Sequence, residues 1–123
     1  LFVPMTEEGL VAGPIADAIV HRYLDPLLAT VPKPKCLLLG CTHYPALKPV
    51  IARVAGDVTL VDSAVTTAAA VEKLLKEKNL ASSGSTVSRK FLATDAPDRF
   101  ARVGEIFFGA AIDPGDVELI DLQ

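Results

Sequence analysis

A chain of 123 residues is the size of one domain or of part of a larger one. Half the residues are apolar and 22% are charged, which excludes an unfolded polyelectrolyte; the net charge of −3 comes without a basic stripe, so nucleic acid is not an expected partner. No stretch approaches the roughly 18 uninterrupted apolar residues of a membrane helix. No signal peptide is visible, although a chain that begins at Leu1 leaves room for a segment before it. The two cysteines, Cys36 and Cys41, fall on one strand and its turn. A disulfide between them would fold that strand back on itself, so a reducing, cytoplasmic setting is expected. The spacing also lacks the paired CxxC pattern of zinc sites, and no metal is expected.

In chain order, Leu1 to Glu8 reads as extended and then turning. Glu7 and Glu8 precede a helical stretch, where acids complement the helix dipole; that is the plain role of Glu8. Pro14 suits the first turn of a helix, followed by Ile15, Ala18, Ile19 and Tyr23 at helical spacing, and Pro26 should bend or end it. His21 on that helix reads as a surface residue. Val31-Pro32-Lys33-Pro34-Lys35 is a short connector into a strand at Cys36–Leu39. Leu47, Val50, Ile51 and Val54 repeat at i, i+3, i+4, i+7, one face of a helix that Gly56 closes. A second strand is predicted over Val58–Val61. Asp62-Ser63 offers an N-cap to a helix from about Ala64 to Lys78, with Ala68, Val71, Leu74 and Leu75 inward and a lysine-rich face outward. A polar loop spans Ala81 to Ser85. A third strand near Ser88–Ala93 leads to Thr94-Asp95 as a cap for a helix bearing Phe100, Val103 and Phe107. Pro114-Gly115 is a turn and Val117–Leu122 a last strand. Strands alternating with helices predict an α/β fold, a mostly parallel sheet flanked by helices.

The candidate chemistry lies in Gly40-Cys41-Thr42-His43, at the carboxyl end of the first strand. Ligands of open α/β sheets bind just beyond such ends. Cys41 reads either as a small apolar residue or as a nucleophile or base. The N–H groups of the helix that follows favour an anion there, a thiolate included. Gly40, with no Cβ, lets the backbone pass close to a ligand. His43 is a capping or surface residue, or a proton-transfer partner of Cys41. Thr42 caps the next helix or contacts a substrate carboxylate. Cys36, at the far end of the strand, reads as packing, and Asp62 and Asp95 read as caps.

Gly40-Cys41-Thr42-His43-Tyr44-Pro45 resembles the segment around the second catalytic cysteine of glutamate racemases, in the aspartate/glutamate racemase family. Phe2-Val3-Pro4-Met5-Thr6-Glu7 and Phe91-Leu92-Ala93-Thr94-Asp95 are similar to two further stretches of that family, in the same order. The resemblance implies interconversion of L- and D-glutamate without a cofactor, by two thiols on opposite faces of one carbon, supplying D-glutamate for peptidoglycan. Cys41 matches the base that faces L-glutamate, His43 its assisting histidine, Thr42 and Gly40 the substrate-carboxylate side, and Glu7 an acid near the site. It also implies an incomplete racemase fold. Family enzymes are about twice this length, and the first half carries the other cysteine.

The expectation is therefore a C-terminal half, with 1–62 in the second racemase domain and 63–123 largely returning to the first. Such a chain would be inactive alone, with glutamate and the missing N-terminal half as partners. Its uncovered apolar faces would favour a homo-oligomer, without membrane association. The alternatives are an aspartate or hydantoin racemase, a non-catalytic binding module that kept the fold, and a Cys-His hydrolase. The hydrolase would need an oxyanion hole and an orienting third residue, which the motif does not identify.

Overall fold

The computed structural model describes residues 1–84 and 87–122. It divides into two compact units, Leu1–Ala81 and Ser82–Gln123. The Ser85 end of the expected polar loop lies outside the described residues.

The first unit contains helices α1 (Phe2–Glu7), α2 (Gly13–Leu28), α3 (Tyr44–Ala55) and α4 (Ser63–Glu77), and strands β1 (Cys36–Leu39) and β2 (Thr59–Asp62). The two strands pair in parallel, with Cys36 opposite Thr59 and Leu39 opposite Asp62. Met5, Ala16, Val20, Leu24, Leu39, Leu47, Val50 and Ile51 form the core, drawn from α1, α2, α3 and β1. The interior of this unit therefore lies on the Leu37–Leu39 face of the sheet.

Leu1 to Glu8 is helical where the sequence reads as extended. Tertiary packing decides this: Met5 and Thr6 are buried, and the Phe2 ring stands edge-on to Tyr23 and Tyr44 at 5.2 and 5.3 Å. Pro4 falls in the first turn, where a missing N–H is tolerated. Glu7 and Glu8 consequently sit at the end of α1, not at the start of a helix.

In α2 the helical period is as expected, and the structure supplies the phase, which spacing does not. Ala16, Val20 and Leu24 are buried, while Ile15, Ala18 and Tyr23 face solvent. The helix is apolar on two adjoining rows, so spacing alone leaves the choice of row open. The helix also continues past Pro26 to Leu28, which places the proline in its last turn. An Arg53–Asp17 ion pair links α3 to α2.

Leu47, Val50 and Ile51 are buried as the spacing predicts, and Gly56 closes α3 at φ +64°. Two expectations of burial fail. Cys36 is exposed, because it shares the outward face of β1 with Leu38, which is 70% exposed. In α4 no residue is buried: Val71, Leu74 and Leu75 form the expected row, but α1, α2 and α3 supply the core and leave that row uncovered.

The second unit pairs β3 (Phe91–Ala93) in parallel with β4 (Val117–Leu119), and packs α5 (Pro97–Phe108) against them. Ala101, Ile112 and Val117 are its buried centre. A Cβ on Gly104 would come within 3.0 Å of Ile112 Cδ1, so glycine is what lets α5 approach Ile112. Both strands are shorter than expected, because the ladder holds only three residue pairs. The α5 cap position falls on Ala96, with a left-handed φ of 44°, and not on Thr94-Asp95. Pro97 disfavours the right-handed helical region for its predecessor, which moves the entry point one residue on. Among the described residues, no helix is long and apolar enough to cross a membrane.

Candidate active site

The turn between β1 and α3 is Gly40-Cys41-Thr42-His43. β1 ends on buried Leu39, and the Tyr44 N–H donates to the Cys41 carbonyl at 3.1 Å, closing a tight turn into α3. Cys41 is half-buried and Gly40 is exposed. A Cβ on Gly40 would meet no atom within 4 Å, so folding of the described residues does not require glycine there. Position 43 is the N-cap of α3, yet no side chain caps that helix. The Thr42 hydroxyl lies instead 3.2 Å from His43 Nδ1.

Across 36 residues of sequence, His43 Nε2 lies 3.3 Å from Glu7 Oε1. The packing of α1 on α3 makes this contact, with Phe2 against Tyr44 beside it. The side chains are 22% and 29% exposed, sheltered enough for the contact to orient the ring and open enough for solutes to reach it. In the tautomer that donates from Nε2 to the Glu7 carboxylate, Nδ1 is left to accept from the Thr42 hydroxyl. Glu7, His43 and Thr42 thus form one chain of polar contacts that ends beside Cys41 in sequence.

No family model matches the chain. Individual relatives do. A glutamate racemase of Neisseria meningitidis serogroup A is 39% identical over 123 residues, covering 99% of this chain and 44% of the relative. One from Syntrophus aciditrophicus is 41% identical over 124 residues, with the same coverage. The crystal structure of glutamate racemase from Francisella tularensis, in complex with D-glutamate, superposes with a TM-score of 0.82 at 34% identity, over 98% of this chain and 44% of that one. The chain is similar in sequence and fold to one part of these glutamate racemases. It spans about 44% of the length of these relatives. The incomplete racemase-like α/β fold expected from the motifs is the fold observed.

Of the residues the sequence points to, Glu7, Thr42 and His43 are brought together, with Cys41 and Gly40 adjoining them. Cys36 is at the opposite end of β1, five residues or roughly 16 Å of extended chain from Cys41. His21 faces solvent, with Nδ1 2.9 Å from Asp25 Oδ1.

The sequence marks Asp62 only as a cap and carries no signal at Lys48. Asp62 does cap α4, accepting from the Ala64 and Val65 N–H groups at 2.9 and 3.3 Å. It is also 6% exposed, and its second oxygen accepts from Lys48 Nζ at 3.1 Å. A lone lysine on a helix gives no signal of this kind, since its default is a solvated face. Burial pushes the Asp62 carboxyl up, but the Lys48 ammonium and the two amides together outweigh it and hold the carboxyl below its ordinary range.

A folded-state pKa below the unfolded value means stability that is present above about pH 4 and lost as pH falls through the lowered value. Asp62→Asn should therefore lower Tm at neutral pH and flatten its decline on acidification. Circular dichroism melts at stepped pH measure this, and parallel acid limbs for the two proteins would refute it.

Proposed function

We propose that Cys41, His43, Thr42, Gly40 and Glu7 form one side of a two-base glutamate racemase site. The observation that carries the reading is the His43–Glu7 contact, which joins two motifs far apart in sequence that both resemble racemase segments. The Cys41 thiolate removes the α-proton of L-glutamate, forming an S–H bond as the C–H bond breaks. A second thiol on the opposite face then delivers its proton to the same carbon, giving D-glutamate. The reverse sequence returns L-glutamate, and only protons move, so the reaction needs no cofactor. His43, oriented by Glu7 and Thr42, assists transfer at Cys41. The Thr42 hydroxyl, the open backbone at Gly40 and the start of α3 receive the substrate carboxylate.

The second thiol must come from outside these 123 residues, because Cys36 cannot reach the carbon that Cys41 serves. Activity then requires the N-terminal portion of a glutamate racemase, in the same chain or in a partner. Within this reading, 1–62 and 63–123 join different racemase domains, a division distinct from the compact-unit boundary at Ala81. D-glutamate supply for peptidoglycan, a cytoplasmic location and self-association through uncovered apolar faces are parts of the same proposal.

The test is α-proton exchange of L- and D-glutamate in D₂O, followed by NMR and circular dichroism. It is run on this chain alone and with the N-terminal portion of the Neisseria meningitidis relative. Inversion is expected only in the mixture. Inversion by the chain alone would overturn the one-base assignment, and a folded complex with no exchange would overturn the racemase reading.

A further inference from the structure

The Cys41 turn is held at both flanks, and both flanks lead to one buried carboxylate. On one side, β1 delivers the turn from Leu39, whose partner in the ladder is Asp62. On the other, α3 begins at Tyr44, and Lys48 on its second turn donates to Asp62 Oδ2 at 3.1 Å. Asp62 also fixes the start of α4 through its Oδ1 and, through its carbonyl, accepts from the Thr66 hydroxyl at 2.9 Å. Strand end, following helix and neighbouring helix therefore meet at a single residue. None of these contacts involves Glu7, His43 or Thr42.

Capping α4 does not require a charge here. Serine, threonine or asparagine would satisfy the same amides, without burying an ion. A carboxylate with 6% exposure is costly unless a cation meets it. The contact that uses the charge is the one to Lys48, and its effect is to fix α3 against the end of β2. Any shift of α3 along that edge must move the four-residue turn that joins it to β1.

We propose that Asp62 and Lys48 are a positioning pair for the Cys41 turn. Neither touches substrate in this scheme. They set where the thiol and the following residues stand relative to the sheet edge. The importance of the turn rests on the racemase reading above, whereas the mechanical link does not.

The two cysteines give the experiment an internal control. Cys36 lies at the other end of β1 and is already exposed. Alkylation of the folded chain by iodoacetamide, with each cysteine followed by peptide mass spectrometry, reads both sites at once. Asp62→Asn keeps a cap acceptor and removes the charge, and Lys48→Met keeps the apolar stem and removes the ammonium. Each variant should raise the Cys41 rate about threefold or more, the low end of coupling between contacting groups. The Cys36 rate should stay as in the parent. The double variant should match the larger single effect, because the pair acts as one link.

An unchanged Cys41 rate in folded variants would overturn the proposal, as would equal acceleration at both cysteines, the sign of general loosening. Should Asp62→Asn not fold, Lys48→Met alone decides, since that side chain is partly exposed and caps nothing. The assay involves no turnover. Failure of the racemase reading would appear as absent glutamate exchange in the complemented enzyme, leaving the alkylation result to stand by itself.

Discussion

Cys41→Ala in the complemented enzyme is expected to lower racemisation in both directions by about 10³-fold or more, the scale of a lost acid–base group. Exchange should separate the enantiomers. On the proposed assignment L-glutamate, with its α-proton toward Cys41, should stop exchanging with solvent. D-glutamate still meets the opposite thiol and exchanges without inversion. Cys36→Ala should leave both rates at the parent value, because Cys36 is exposed at the far end of β1. His43→Asn and Glu7→Gln should each cost on the order of 10–100-fold, the worth of one hydrogen bond to a charged group. If Glu7 acts by holding His43, the double variant falls little below the worse single one. NMR of the α-proton in D₂O measures all of these. Retained inversion in Cys41→Ala would remove this residue from the proton path, and full activity in Glu7→Gln would reduce the 3.3 Å contact to a structural one.

The candidate site was legible to different depths at different residues. Gly40-Cys41-Thr42-His43 is contiguous, so its place between a strand and a helix follows from two local patterns: an apolar run, then Leu47, Val50 and Ile51 at helical spacing. The partnership of His43 with Glu7 has no local signature. It depends on α1 being a helix that packs on α3, and Phe2 to Glu7 becomes helical through tertiary contacts that burial of Met5 and Thr6 reveals. Lys48 and Asp62 show the same limit, for Asp62 carries a cap signal and nothing in the sequence marks the cation that meets it. Pattern also cannot decide which of two adjoining apolar rows faces inward. That is why Ala16, Val20 and Leu24, and not Ile15 and Tyr23, line the core from α2. The same holds more strongly for α4. Its apolar row is real in the sequence and uncovered in the structure, since a row becomes a core face only where another surface meets it.

That contrast yields the largest expected stability effect. Leu47 is fully buried at the junction of α3 with the core, whereas Leu74 on α4 is half exposed and borders a shallow apolar groove with Thr66, Thr67, Ala70 and Val71. Leu47→Ala removes buried methyl groups and leaves a cavity, and should cost about 2–5 kcal/mol. Small domains hold only about 5–15 kcal/mol in total, so this change would bring the first unit close to unfolding at physiological temperature. Leu74→Ala should stay within about 0.5 kcal/mol, as an exposed substitution does. Tyrosine fluorescence in a urea titration reads this unit selectively, because both tyrosines, Tyr23 and Tyr44, belong to it and the chain has no tryptophan. The comparison is best made at two protein concentrations, with light scattering alongside. Equal costs for the two substitutions, with a midpoint that rises with concentration, would mean that α4 is buried in solution by a second copy. Leu74→Ser should then reduce self-association while leaving the monomer as stable as before. Equal costs without any concentration dependence would contradict the exposure of α4.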